Sequence, residues 1–98
     1  MGTGMRMNPD ALESAAGQVS GIASNFGSEL ASLSALIQST HDFWEGSSQA
    51  AFEAKYEQQY KVAMNQFIEA LNEYATNMRR QAENQRNTEA ANAQIWSI

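Results

Sequence analysis

The chain has no cysteine, one histidine, one proline, and no glycine beyond position 46. Without thiols it has neither disulfides nor thiolate metal sites, and its redox compartment is left open. The lone His41 has no second base to work with, and the serines are scattered along helical segments without a base-bearing partner nearby in sequence. No nucleophile, general base or cofactor-binding residue is therefore assigned, and the chain reads as a non-enzyme that takes no small-molecule substrate. Metal binding fails similarly. Glu53 and Glu57 lie one turn apart, as do Glu69 and Glu73, but no Glu-x-x-His accompanies either pair, so both read as solvated faces. His41 reads as a helix-end residue beside Asp42.

Basic charge is scarce too. Six Lys and Arg against eleven Asp and Glu give a formal charge of −5 and a pI near 4.6, which argues against a nucleic-acid phosphate partner. Met1 to Leu12 carries one arginine and no apolar run of seven residues, which excludes a Sec-type signal peptide. Residues 14–28 carry no charge, yet six are Ser, Gln or Asn and three are Gly, too polar to span a membrane. Hydrophobic residues make up 43% of the 98, but alanine supplies many of them. One isolated hairpin of that composition is short of apolar volume, so a partner is expected.

What the chain does have is a helical rhythm on either side of Trp44-Glu45-Gly46. Leu12, Ala16, Val19, Ala23, Phe26, Leu30, Leu33 and Ile37 recur at alternating steps of four and three residues, one face of an α-helix. Tyr60, Met64, Phe67, Leu71, Tyr74 and Met78 repeat the rhythm, led in by Phe52 and Tyr56. The aromatics Phe52, Tyr56, Tyr60, Phe67 and Tyr74 read as helix core. The pattern predicts an all-α single domain over 1–98, an antiparallel helix-turn-helix hairpin. Residues 1–7 are a flexible leader, helix one covers about 8–39, the turn 43–47, helix two about 48–90 and the tail 91–98.

Local signals support these bounds. Asn8 caps the first helix, Pro9 suits its first position, and Asp10 and Glu13 favour its positive dipole end. Gly46 supplies a positive φ at the turn, and Ser47 or Ser48 caps the second helix. Helix one spans roughly 45 Å and helix two roughly 65 Å, so the second outruns the first. Arg79 with Glu83 and Glu83 with Arg86 are spaced to lace the polar end of helix two, which projects into solvent or frays. Ala15, Ile22 and Leu36 widen the apolar face of helix one beyond what a single facing helix covers. Opposite them Ser14, Gly17, Gly21, Ser24, Ser28, Ala31 and Ala35 form an outward strip of small residues, either solvated or a lateral contact between dimers. Trp44 either covers the end of the hairpin core or is an exposed recognition element at its tip. Ile95, Trp96 and Ile98, apolar in a polar tail, are assigned to docking.

The central Trp44-x-Gly46, the flanking helices, the length, the acidic balance and Phe52, six residues after the glycine, together resemble the WXG family of about hundred-residue, early-secreted-antigenic-target-like proteins. The resemblance implies dimerisation into an antiparallel four-helix bundle, with itself or with a paralogous WXG partner. The dimer and core residues are then Leu12, Val19, Phe26, Leu33, Ile37, Phe52, Tyr60, Phe67, Leu71 and Tyr74. It also implies folding in the bacterial cytoplasm and signal-peptide-independent secretion by a type VII (Esx or Ess) system, as effector or co-secreted passenger. From their own chemistry, as apolar residues in a polar tail, Ile95, Trp96 and Ile98 are assigned as anchors for the secretion ATPase of such a system. The alternative function is a cytosolic adaptor or targeting chaperone for a larger type VII toxin. Two departures stand out: Ser48 replaces a frequent Ala, and the family's Tyr-x-x-x-Asp or Glu signal is missing, since Met78 follows Tyr74 at that spacing.

Overall fold

Asn8 starts the first helix as its chemistry requires. In the computed structural model, which describes residues 7–96 with side chains through residue 92, its Oδ1 accepts the backbone N–H groups of Asp10 and Ala11 at 3.0 and 3.1 Å. With Pro9 at its first position, α1 runs over Pro9–Ser39 and closes into a short 3-10 turn, Thr40–Asp42. The chain reverses through residues 43–46. It then rises as α2, Ser47–Lys55, passes through a π turn, Tyr56–Tyr60, and continues as α3, Lys61–Trp96. The described residues contain no strand and form a slender hairpin of 77 × 19 × 17 Å.

Helix two is thus longer than expected, since its backbone stays helical to Trp96 rather than ending near residue 90. No proline and no glycine after Gly46 interrupts it. Its cap also differs from expectation. Gly46 itself is the N-cap and its carbonyl accepts Ala50 N–H at 3.1 Å, whereas Ser47 and Ser48 lie inside the helix and make no capping bond.

The seam between the helices follows rows of seven. On α1 the row Ala16, Ala23, Leu30, Ile37 is buried, and Leu12, Val19, Phe26, Leu33 beside it is half-buried. On the returning helix one row is Gln49, Tyr56, Met64, Leu71, Met78 and the next is Glu53, Lys61, Ile68, Ala75, Ala82; every member of both is buried or half-buried. Each row steps by seven except across the π turn, where it steps by eight. There Lys61 N–H bonds the Tyr56 carbonyl, five residues back, so one extra residue is absorbed without turning the rows off the seam. Packing is heaviest near the turn, where Leu30, Ile37 and Tyr56 meet Leu33, Met64 and Ile68. Towards the open end it thins to Ala16, Ala23, Ala75 and Ala82, each at most 1% exposed, each contributing only about 1 kcal/mol of burial or less.

Four residues read as helix core lie outside the hairpin's own seam. Phe52, Tyr60, Phe67 and Tyr74 are 48, 52, 47 and 62% exposed and form a third row, again with one eight-residue step, on the flank of the hairpin. The seam takes the small side chains at 75 and 82 instead, because alanine lets two long helices approach closely. Nor do Arg79, Glu83 and Arg86 lace one another along the polar end of helix two. Arg79 donates to Ser20 Oγ at 3.0 Å, and Arg86 reaches across to Glu13 at 2.6 Å and Asp10 at 2.7 Å. The Ser14-to-Ala35 strip is exposed throughout, as its position opposite the apolar stripe predicts.

Deleting Gln58 should turn the eight-residue step into seven and keep all rows aligned, leaving the thermal midpoint by circular dichroism within about 5 °C of the parent. Deleting Ala70 has no such refuge: it rotates the rest of α3 by about 100°, takes Ala75 and Ala82 off the seam, and should lower the midpoint by about 15 °C or more.

Candidate functional site

Two surfaces carry what is not spent on holding the hairpin together. The first is its apolar flank. Phe26 and Phe67 meet edge to face across the seam with centroids 5.5 Å apart, which places the half-buried α1 row and the aromatic row of helix two on one side of the molecule. Ile22 and Leu36, 49 and 62% exposed, widen this side, as their spacing predicts. Beside the π turn it deepens into an open groove of about 520 Å³, lined by Leu33, Ile37, Phe52, Tyr56 and Tyr60 with Lys55 and Gln59 at the rim. Tyr56 forms the floor: its ring stacks on Tyr60 at 5.8 Å, and its hydroxyl shares a 2.6 Å hydrogen bond with Ser34 Oγ.

The second surface is the tip. Gly46 has φ 107°, a conformation that costs a side-chain-bearing residue free energy, and this glycine redirects the chain into α2. Trp44 N–H and Phe43 N–H both bond the Thr40 carbonyl, at 2.8 and 3.1 Å. The indole packs on Phe52, centroids 5.6 Å apart, and is half-buried; Phe43 beside it is 76% exposed and Glu45 is exposed. Trp44 therefore covers the end of the hairpin against Phe52 while remaining partly exposed. Phe43 was not assigned a role from the sequence. Its position immediately before Trp44, outside either helical row, is the signal that was there to be used.

A polar cluster underlies the tip. Gln49 is 2% exposed, and its amide donates to Glu53 Oε2 at 2.7 Å and to Thr40 Oγ1 at 3.2 Å. His41 Nε2 lies 2.6 Å from the same Glu53 oxygen, so its partner is Glu53 rather than the neighbouring Asp42. These contacts hold the Glu53 carboxyl below the usual carboxylate range, the Gln49 amide first, with His41 adding to it against an opposing effect of burial. Among the described residues no three His, Cys, Asp or Glu side chains converge as a metal site would need, and no helix is long and apolar enough to cross a membrane. Of the docking residues, the side chains of Ile95 and Trp96 and the whole of Ile98 lie outside the described residues.

Because the folded Glu53 value is lowered, the stability this group contributes is present above the ordinary carboxylate range and lost as pH falls through the lowered value. Glu53→Gln should flatten the acid limb of a melting-temperature profile between about pH 5 and 3. A parallel decline in both proteins would remove Glu53 from the cause.

The model of the family described as proteins of 100 residues with WXG, WXG100, matches residues 4–90. No curated protein sequence matches the chain. Crystal structures of the secreted protein EsxB from Bacillus anthracis str. Sterne share its fold. The wild-type protein in one crystal form is 31% identical, with 88% of this chain and 99% of that chain covered and a TM-score of 0.80. Its selenomethionine-labelled form is 32% identical, with 91% and 99% covered and a TM-score of 0.79.

Proposed function

The chain belongs to the WXG100 family, and from that premise we propose that it is a non-enzymatic substrate of a type VII secretion system, exported without a signal peptide as an effector or co-secreted passenger. The similarity to a secreted protein, EsxB, over nearly its whole length supports export. The observation that carries the mode of action is the exposed aromatic row Phe52, Tyr60, Phe67, Tyr74 beside the half-buried Leu12, Val19, Phe26 and Leu33. A face of this kind along the length of a monomer marks a protein–protein contact.

The partner we assign to that face is a second copy, packed antiparallel into a four-helix bundle. Side-chain size supports the orientation. The apolar flank is bulky near the turn, at Leu33, Phe52 and Tyr60, and slighter near the open end, at Leu12, Ala15 and Val19, with Phe67 near the middle and Tyr74 the one large side chain beyond it. Antiparallel pairing sets bulk against the slighter half at both ends. Light scattering should give twice the chain mass at micromolar concentration, and Phe67→Asp, which places a charge at the centre of the face, should give the single-chain mass. A helical monomer in the parent would overturn the homodimer, and a chain that folds only when mixed with a second protein would replace it with a paralogous WXG partner.

Export recognition, in this reading, uses a composite of the tip and the end of helix two. α3 continues past the level of Asn8, so in an antiparallel dimer each overhang emerges beside the partner's turn. Ile95, Trp96 and Ile98 are the anchors proposed for the secretion ATPase, standing in for the missing tyrosine motif. Removing residues 95–98, or making Trp44→Ala, should abolish appearance in the culture medium while the dimer mass is kept. Normal export of the shortened chain would end the role of the tail, and retention of the parent protein in washed cells would favour the cytosolic adaptor.

A further inference from the structure

We propose that Gln49 is the positioning residue of the hairpin tip, fixing the pose of Trp44 and Phe43 through Thr40. Gln49 is the only residue among the described ones that is both polar and buried, 2% exposed, and it sits in the first turn of α2, outside the three letters of the W-x-G motif. Its amide nitrogen has two protons, and each has an acceptor on a different element: Glu53 Oε2 on α2 at 2.7 Å and Thr40 Oγ1 on the 3-10 turn at 3.2 Å. His41 Nε2, 3.4 Å away, completes the cluster by meeting the same carboxylate. A nitrogen buried in this way tolerates little misplacement, because each unmade hydrogen bond carries the cost of its desolvation.

Thr40 is the joint through which the constraint travels. Its hydroxyl donates to Ile37 carbonyl oxygen at 2.6 Å and accepts from Gln49, so it is tied to the end of α1 and to α2 at once. Its carbonyl receives the N–H groups of both Phe43 and Trp44. The indole is then held from its other side by Phe52, three residues after Gln49 on the same helix. Gln49 and Phe52 thus grip the turn from one rigid element, the amide through the hydroxyl of Thr40 and the ring through the indole. Gly46 permits the reversal of the chain; Gln49 selects one pose of it.

This inference rests on the reading that the Trp44 tip takes part in export, and the experiment separates the two. Gln49→Met keeps length and approximate volume but removes both donors; Thr40→Val removes the hydroxyl at constant shape and serves if the first variant folds poorly. Dimer mass and helix content are checked first. In Gln49→Met the hydrogen-exchange protection of the Trp44 amide should fall about tenfold, with weaker Trp44–Phe52 ring cross-peaks in nuclear magnetic resonance spectra. Thr40→Val should do the same, and the double variant should lose little more than either alone. Unchanged Trp44 protection, or losses that simply add, would overturn the positioning role. In the export assay both variants should fall with Trp44→Ala. Export of Gln49→Met at the parent level, with Trp44→Ala blocked and the tip loosened, would deny the pose any part in recognition. Normal export of Trp44→Ala would overturn the tip's role in export and leave the positioning of Trp44 to stand on the exchange data.

Discussion

Two helices that pack along most of their length must keep the same side chains facing each other from one end to the other, and an ideal helix drifts away from any seven-residue repeat. The returning helix also carries one residue more than that repeat allows. The π turn at Tyr56–Tyr60 absorbs it. Everything else in the fold depends on that accommodation: without it Gln49 and Tyr56 would face the seam while Met64, Ala75 and Ala82 faced away. The same step brings Phe52 into line with Tyr60, Phe67 and Tyr74, so one local adjustment sets both the inner seam and the outer aromatic row. Where the helix widens, the groove over Tyr56 opens.

The hairpin is divided lengthwise by polarity. One flank is apolar and bridged by Phe26 and Phe67; across the seam from it the helices are joined by Arg79 to Ser20 and Arg86 to Glu13 and Asp10. The polar contacts are exposed, and pairs of that kind contribute little stability. Their value is positional. They tie α1 to α3 at the open end, where the fully buried contacts are alanines. At the other end the buried Gln49 cluster fixes the tip, so the apolar flank is held by polar anchors at both ends.

Much of this was legible in the sequence. The Asn8 cap, the eight-residue set on α1, the outward Ser/Gly strip and the turn at Gly46 all follow from local chemistry and a simple period. The returning helix was harder because hydrophobic size pointed the wrong way. Of its five aromatics from Phe52 to Tyr74 all but Tyr56 are on the flank, whereas its seam is completed by Ala75 and Ala82, which a size-weighted reading passes over. The bulge had a visible trace, since Phe52 and Tyr60 are eight apart while Tyr60, Phe67 and Tyr74 are seven apart. The buried amide at position 49 had none: a glutamine in a polar first turn reads as solvated until its neighbours at Thr40 and Glu53 are placed around it.

Asp10, at the start of α1, and Arg86, in the last part of α3, are bonded to one another, so the first and last stretches of the described chain lie side by side at the open end while the turn occupies the far end. Tension applied to the end of α3 therefore loads the contacts one after another, as a zip is loaded, rather than all together, as in two rods sheared along their length. The first contacts to part are the exposed ion pairs of Arg86 and then the alanine seam at Ala82, Ala16, Ala75 and Ala23. Resistance rises as the opening front passes Phe26 and Phe67 and reaches Leu30, Tyr56 and Ile37. Mechanically the molecule is soft where it would be gripped and stiff where the tip is held in shape.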